Sequence, residues 1–136
     1  MGTRTVIIAG LGAAGSAAAW RLALAGHRVI GLDRWRPPHP MGSTHGESRV
    51  TRLTAWEGAE YVPLAARANL LWDELEADWG RPLRLRTGGL FIGHAHETIV
   101  AGAIASAEMT GVPYETLTRN DVTVRVPGIR VPEGMI

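Results

Sequence analysis

The chain of 136 residues contains no cysteine, no lysine and a single phenylalanine. Without thiols it can build no disulfide, no zinc-thiolate centre and no cysteine nucleophile. All 14 basic side chains are arginine, set against 13 acids, and the net charge is +1. So balanced a chain carries no field that would draw it to nucleic acid or to a membrane. No stretch reaches the run of roughly 18 apolar residues that a membrane helix needs. The five histidines, at 27, 39, 45, 94 and 96, form no recognisable ligand set. His94 and His96 stand two apart in an expected turn and read as solvated imidazoles rather than a metal pair. The amino-terminal stretch, with Arg4 and small apolar residues, has some features of a secretory leader. Glycines interrupt it, and its small residues have a better use in a phosphate turn. The expected compartment is therefore the cytoplasm.

What is present is a glycine-rich opening. Residues 6–33 read V-I-I-A-G-L-G-A-A-G-S-A-A-A-W-R-L-A-L-A-G-H-R-V-I-G-L-D. An apolar run meets Gly10, Gly12 and Gly15 in G-x-G-x-x-G spacing, an alanine-rich stretch follows, and a second apolar run ends at Asp33. This is the layout of a dinucleotide-binding βαβ unit. Gly10 allows the tight turn out of the first strand. Gly12 has no Cβ, so a pyrophosphate can approach the backbone. Gly15 lets the helix lie close on the strand. The N–H groups near Ala13 and Ala14 point at the phosphates with the positive end of the helix dipole. Asp33 can accept hydrogen bonds from a ribose hydroxyl. Arg34 beside it could instead meet a 2′-phosphate, against which the charge of Asp33 argues.

The expected elements run in order along the chain. Residues 3–9 read as a strand, 13–25 as a helix stopped by Gly26, and 28–33 as a second, parallel strand. Residues 34–48 form a long polar loop with Pro37, Pro38 and Pro40, too long to be a mere connector. Residues 49–56 read as extended. Residues 61–79 are the clearest helix, with Leu64, Ala68, Leu71, Trp72, Leu75 and Trp79 on one face and Gly80 at its end. Residues 83–93 suggest a strand, 97–110 a helix with Ile99, Ala103, Ile104 and Ala107 inward, and 112–117 a short strand. Residues 118–126 stay open: Thr118 with Asp121 signals a helix start, whereas Val122, Val124 and Val126 alternate as in a strand. No repeat or low-complexity linker divides the chain, and the material after the βαβ unit suggests a second domain beginning near residue 45.

Several stretches resemble a known family. G-L-G-A-A-G, L-D-R at 32–34, P-P-H-P at 37–40 and G-S-T-H-G-E-S-R-V-T-R at 42–52 are similar to the start of the monomeric sarcosine oxidase and N-methyl-tryptophan oxidase family. E-Y-V-P-L-A at 60–65, T-G-G-L-F-I-G opening at Thr87 and V-P-G-I-R-V-P-E at 126–133 fit as well. The segment at 42–52 is the most specific, because generic dinucleotide folds lack it. The resemblance implies an α/β fold: residues 1–44 a Rossmann-like βαβ unit with the start of the flavin loop, and 45–136 α+β segments of a partial substrate domain. It implies FAD rather than NAD, and oxidation of a secondary amine on a small amino acid to an imine, with oxygen reduced to hydrogen peroxide. Residue by residue, it has Gly10, Gly12, Ala13, Ala14 and Gly15 cradle the pyrophosphate and Asp33 hold the adenosine ribose. Ser43 and Thr44 line the flavin's path, and His45 and Arg49 lie near the isoalloxazine ring. Arg52 helps bind the substrate carboxylate, as a guanidinium does through two parallel hydrogen bonds. If residues 49–52 are extended, Arg49 and Arg52 point to opposite faces; in a helical turn they share one. His45 could equally serve only the loop backbone.

The resemblance covers about the N-terminal third of family members. A flavin-linking cysteine and a lysine near the flavin, both family features, have no counterpart among these residues. The expectation is a partial chain that does not turn over substrate alone. Sarcosine, N-methyl-tryptophan and cyclic imino acids all remain open as substrates. Two other readings stand beside it: a nicotinamide-dependent dehydrogenase domain, and a non-catalytic dinucleotide-binding module completed by another chain.

Overall fold

A computed structural model describes residues 2–136. It is a mixed α/β chain with one parallel two-stranded sheet and four helices among the described residues. The chain divides into two compact units, the first ending at Val50 and the second Thr51–Ile136.

The first unit opens with β1 (Thr5–Ala9), α1 (Ala13–Leu24) and β2 (Arg28–Leu32). β1 and β2 pair in parallel, from Thr5 opposite Arg28 to Ala9 opposite Leu32. The β-branched run V-I-I favours the extended chain, and the alanines that follow favour helix. Gly26, at φ 81°, ends α1. Its N–H donates to the Ala23 carbonyl, and the His27 N–H to the Leu22 carbonyl. This pair of bonds satisfies two of the helix's orphan carbonyls, and glycine takes the left-handed position without strain. Within β1, Val6 and Ile8 are half-buried; Ile7, on the opposite face, is exposed. Residues 34–50 carry no regular element.

The second unit holds α2 (Tyr61–Trp79), α3 (Thr98–Thr110) and α4 (Arg119–Arg125) around a small core. Ala55, Val62, Val100, Ala103, Ala107, Val122 and Val131 are its buried apolar residues. Pro63 sits in the first turn of α2, where a missing N–H costs nothing. Gly80 and Gly111 close α2 and α3 in the left-handed conformation. α3 approaches the Trp56 backbone so closely that a Cβ at Gly102 would lie 2.5 Å from the Trp56 carbonyl oxygen.

Several expectations are corrected here. Residues 83–93 and 112–117 form no strand. A strand exists only with a hydrogen-bonding neighbour, and these segments send their backbone groups elsewhere. The Leu83 and Arg84 N–H groups donate to the Glu76 carboxylate (2.8 and 2.7 Å). Gly93 exchanges two hydrogen bonds with Ile136. The inward residues agree in part with those expected. On α3, Ala103 and Ala107 are buried and Ile104 half-buried, as expected, whereas Ile99 is exposed and Val100 buried. On α2, Ala68, Leu71 and Leu75 are half-buried, whereas Leu64, Trp72 and Trp79 are exposed and Val62 is the buried residue. The open segment resolves as helix α4, because Thr118 and Asp121 form a reciprocal capping box.

Candidate functional site

The first unit builds the site from the turn outward. Gly10 takes φ 90° as the chain leaves β1, and its N–H donates to the Leu32 carbonyl (2.7 Å). A side chain at position 10 would be strained by that dihedral. Gly15 packs against the same turn: a Cβ there would run into the Gly10 carbonyl oxygen and lie 3.3 Å from Ile8 Cγ2. α1 can approach β1 this closely only with hydrogen at position 15. Gly12 is the N-cap of α1 and supplies no side-chain cap. The cap comes instead from Thr44, whose Oγ1 accepts the Ala13 N–H (3.1 Å). The N–H groups of Ala14 and Gly15 meet no acceptor among the described residues. Two first-turn donors therefore point outward from a helix start with positive dipole character.

Asp33, just past β2, is the brace of this turn. Its Oδ2 accepts the Leu11 N–H (2.7 Å), and its Oδ1 accepts the Trp35 N–H (3.1 Å) and lies 3.1 Å from His39 Nε2. The Leu11 N–H first, then the Trp35 N–H, hold its carboxyl below the ordinary aspartate range; the His39 imidazole adds to this, and partial burial opposes it. A carboxylate has about four acceptor positions, so Oδ2 keeps room for one further donor.

The loop at 41–50 folds on itself. The His45 N–H donates to the Gly42 carbonyl (3.2 Å), and the His45 residue is exposed. Arg49 donates to the carbonyls of Ser43 (3.1 Å) and Ser48 (2.9 Å). Arg34 lies over the Trp35 ring, 4.8 Å from its centroid. Gly10, Gly12, Ala13, Gly15, Asp33 and Thr44 thus converge on one turn, Ala14 opens the helix beside them, and Ser43 adjoins Thr44. Arg34 is drawn to the neighbouring indole.

Arg52 belongs to the second unit. It pairs with Glu57 and lines an open groove of about 570 Å³ with Tyr61, Leu64, Ala65 and Ala68. The groove joins the Arg52–Glu57 ion pair and the Tyr61 phenol to an apolar wall.

Sequence reasoning passed over His39 and assigned Thr44 only to a flavin path. No spacing marks either role. His39 lies in a proline-rich run without periodicity, and a helix cap lent from 31 residues away leaves no local signature.

The sequence model for FAD dependent oxidoreductases matches residues 5–136. The monomeric sarcosine oxidase of Streptomyces avermitilis is 41% identical over 125 residues, covering 92% of this chain and 33% of that protein. The N-methyl-L-tryptophan oxidase of Salmonella arizonae is 39% identical over 131 residues, covering 96% of this chain and 35% of that protein. That of Yersinia pestis strain Pestoides F is 37% identical over the same length. The chain spans about a third of the length of these curated relatives.

Proposed function

The chain belongs to the FAD dependent oxidoreductase family, and from that membership we propose that it is the FAD-binding opening of an oxidase acting on an N-methyl amino acid. The family's cofactor sets aside the nicotinamide-dependent alternative. The observation that carries the proposal is the unblocked turn: three glycines at 10, 12 and 15, two outward first-turn N–H groups, and a carboxylate with one acceptor position to spare. The residues fit the group. Ala14 and Gly15 would donate to the pyrophosphate, which binds well at a helix N-terminus. Gly12 would let it approach, and Asp33 would accept from the adenosine ribose. Ser43 and Thr44 would border the flavin's path, and His45 and Arg49 would lie near its ring system.

FAD, when bound, would supply the acceptor for a hydride, a proton with its two electrons, from the carbon beside nitrogen. The protein's own tasks are to bind, orient and shield. A cation near the flavin ring favours an anionic reduced form, and Arg49 is the candidate for that task. Arg52 would exchange its Glu57 partner for the carboxylate of the amino acid. Residues 45–136 would contribute part of the substrate domain.

Titration of the 136-residue chain with FAD, followed by flavin fluorescence, tests this. A saturable complex with FAD, and none with NAD at equal concentration, is the expected result. Absence of saturation in a sample that circular dichroism shows to be folded would overturn it.

A further inference from the structure

We propose that His39 is a positioning residue, a neutral imidazole protonated on Nε2 that ties the loop at 41–44 to the phosphate turn. Its two nitrogens have different partners. Nδ1 lies 3.2 Å from the Met41 N–H, which can only donate, so Nδ1 accepts and carries no proton. Nε2 lies 3.1 Å from Asp33 Oδ1. That oxygen already accepts the Trp35 N–H, and a carboxylate offers no proton in return, so Nε2 donates. Both requirements select the same tautomer, and the protein lacks a second arrangement that satisfies both bonds. The two side chains are 16% and 10% exposed, so water competes poorly for the Nε2–Asp33 bond, while the Met41 bond is open to solvent.

The consequence lies in what each partner does next. Asp33 reaches through its other oxygen to the Leu11 N–H (2.7 Å). Met41 leads in three residues to Thr44, whose hydroxyl accepts the Ala13 N–H (3.1 Å). The loop therefore grips the phosphate turn on both sides of Gly12, at Leu11 by way of His39 and Asp33 and at Ala13 by way of Thr44. His39 closes this ring of bonds without reaching the pyrophosphate position itself. Without the imidazole, Asp33 Oδ1 keeps only the Trp35 N–H, the Met41 N–H turns to water, and residues 41–44 lose their first anchor. The turn is then no longer preorganised, and a ligand must order it on binding.

The link to cofactor affinity rests on the FAD reading above; the tautomer and the ring of bonds do not. In the FAD-free 136-residue chain, long-range ¹H–¹⁵N NMR of the His39 ring should show the proton on Nε2 and a bare Nδ1. A proton on Nδ1, or an averaged mixture of tautomers, would overturn the proposal even if FAD binds. His39→Ala should move the amide resonances of both Leu11 and Ala13 and weaken FAD binding about tenfold, the scale of a lost hydrogen bond to a charged group. His39→Gln, whose amide N–H can donate to Asp33 but which lacks the rigid ring that holds donor and acceptor on opposite sides, should restore the Leu11 resonance and only part of the affinity. Unchanged Leu11 and Ala13 amides in a folded His39→Ala chain would also refute it. If that variant does not fold, the wild-type tautomer decides. If FAD fails to bind the wild type, the cofactor reading falls, while the ring NMR and the two amides still judge His39.

Discussion

At position 15 the turn leaves no space for a side chain. A Cβ there meets the Gly10 carbonyl oxygen, which is backbone and cannot swing aside. Gly15→Ala should therefore push α1 away from β1, destabilising the chain by about 1–3 kcal/mol as overpacking does, and weaken FAD binding with it. Urea unfolding with and without FAD measures both; a stability within about 0.5 kcal/mol of wild type, the range of a neutral surface change, would contradict the close approach. The glycine spacing and Asp33 were legible because each answers a local need: a positive φ, a missing Cβ, an acceptor after a strand. The second task of Asp33, bracing the Leu11 N–H across 22 residues, was not legible, because nothing local distinguishes a carboxylate awaiting a ribose from one already holding a turn.

At the scale of elements, Glu76 on α2 shows how a helix can capture a segment that periodicity assigns to a strand. It accepts the N–H groups of Leu83 and Arg84 and pairs with the Arg84 guanidinium (2.9 Å), which also binds the Asn69 carbonyl and Asp73. The Arg84 side chain first, then the Leu83 N–H, pull the Glu76 carboxyl from its ordinary value down to about 2, against a smaller opposing effect of burial. Its folded pKa is lowered, so its contribution is complete above the unfolded value of about 4.3 and drains away as pH falls toward about 2. Carboxyl-detected NMR should find Glu76 titrating near that lower value, and Glu76→Gln should flatten the fall of stability with acid over the same window. A midpoint in the ordinary glutamate range would refute the arrangement. Helices α1, α2 and α3 were readable from composition, spacing and their closing glycines, which act within a turn or two. The expected strand at 83–93 was not borne out, because pairing depends on a distant neighbour rather than on the segment. For α4 the capping box outweighed valine alternation, since the box satisfies two backbone donors at once.

For the molecule as a whole, the sheet is the thinnest part. β1 reads as a continuous apolar run, the signature of a strand covered on both faces, yet Ile7 is 63% and Leu32 54% exposed. The core residues named above all lie beyond Val50. Ile7→Lys should therefore shift unfolding stability, measured by urea titration, by no more than about 0.5 kcal/mol. A large loss of stability would mean that Ile7 is packed. Family, cofactor and the glycine turn were readable from the order of residues alone, because steric exclusion and hydrogen-bond demand at a turn act between near neighbours. Which carboxylate braces which amide, which hydroxyl caps α1, which tautomer His39 adopts and that Val62 rather than Leu64 is buried on α2 emerged only from the fold, because each depends on groups that folding brings together from remote parts of the chain.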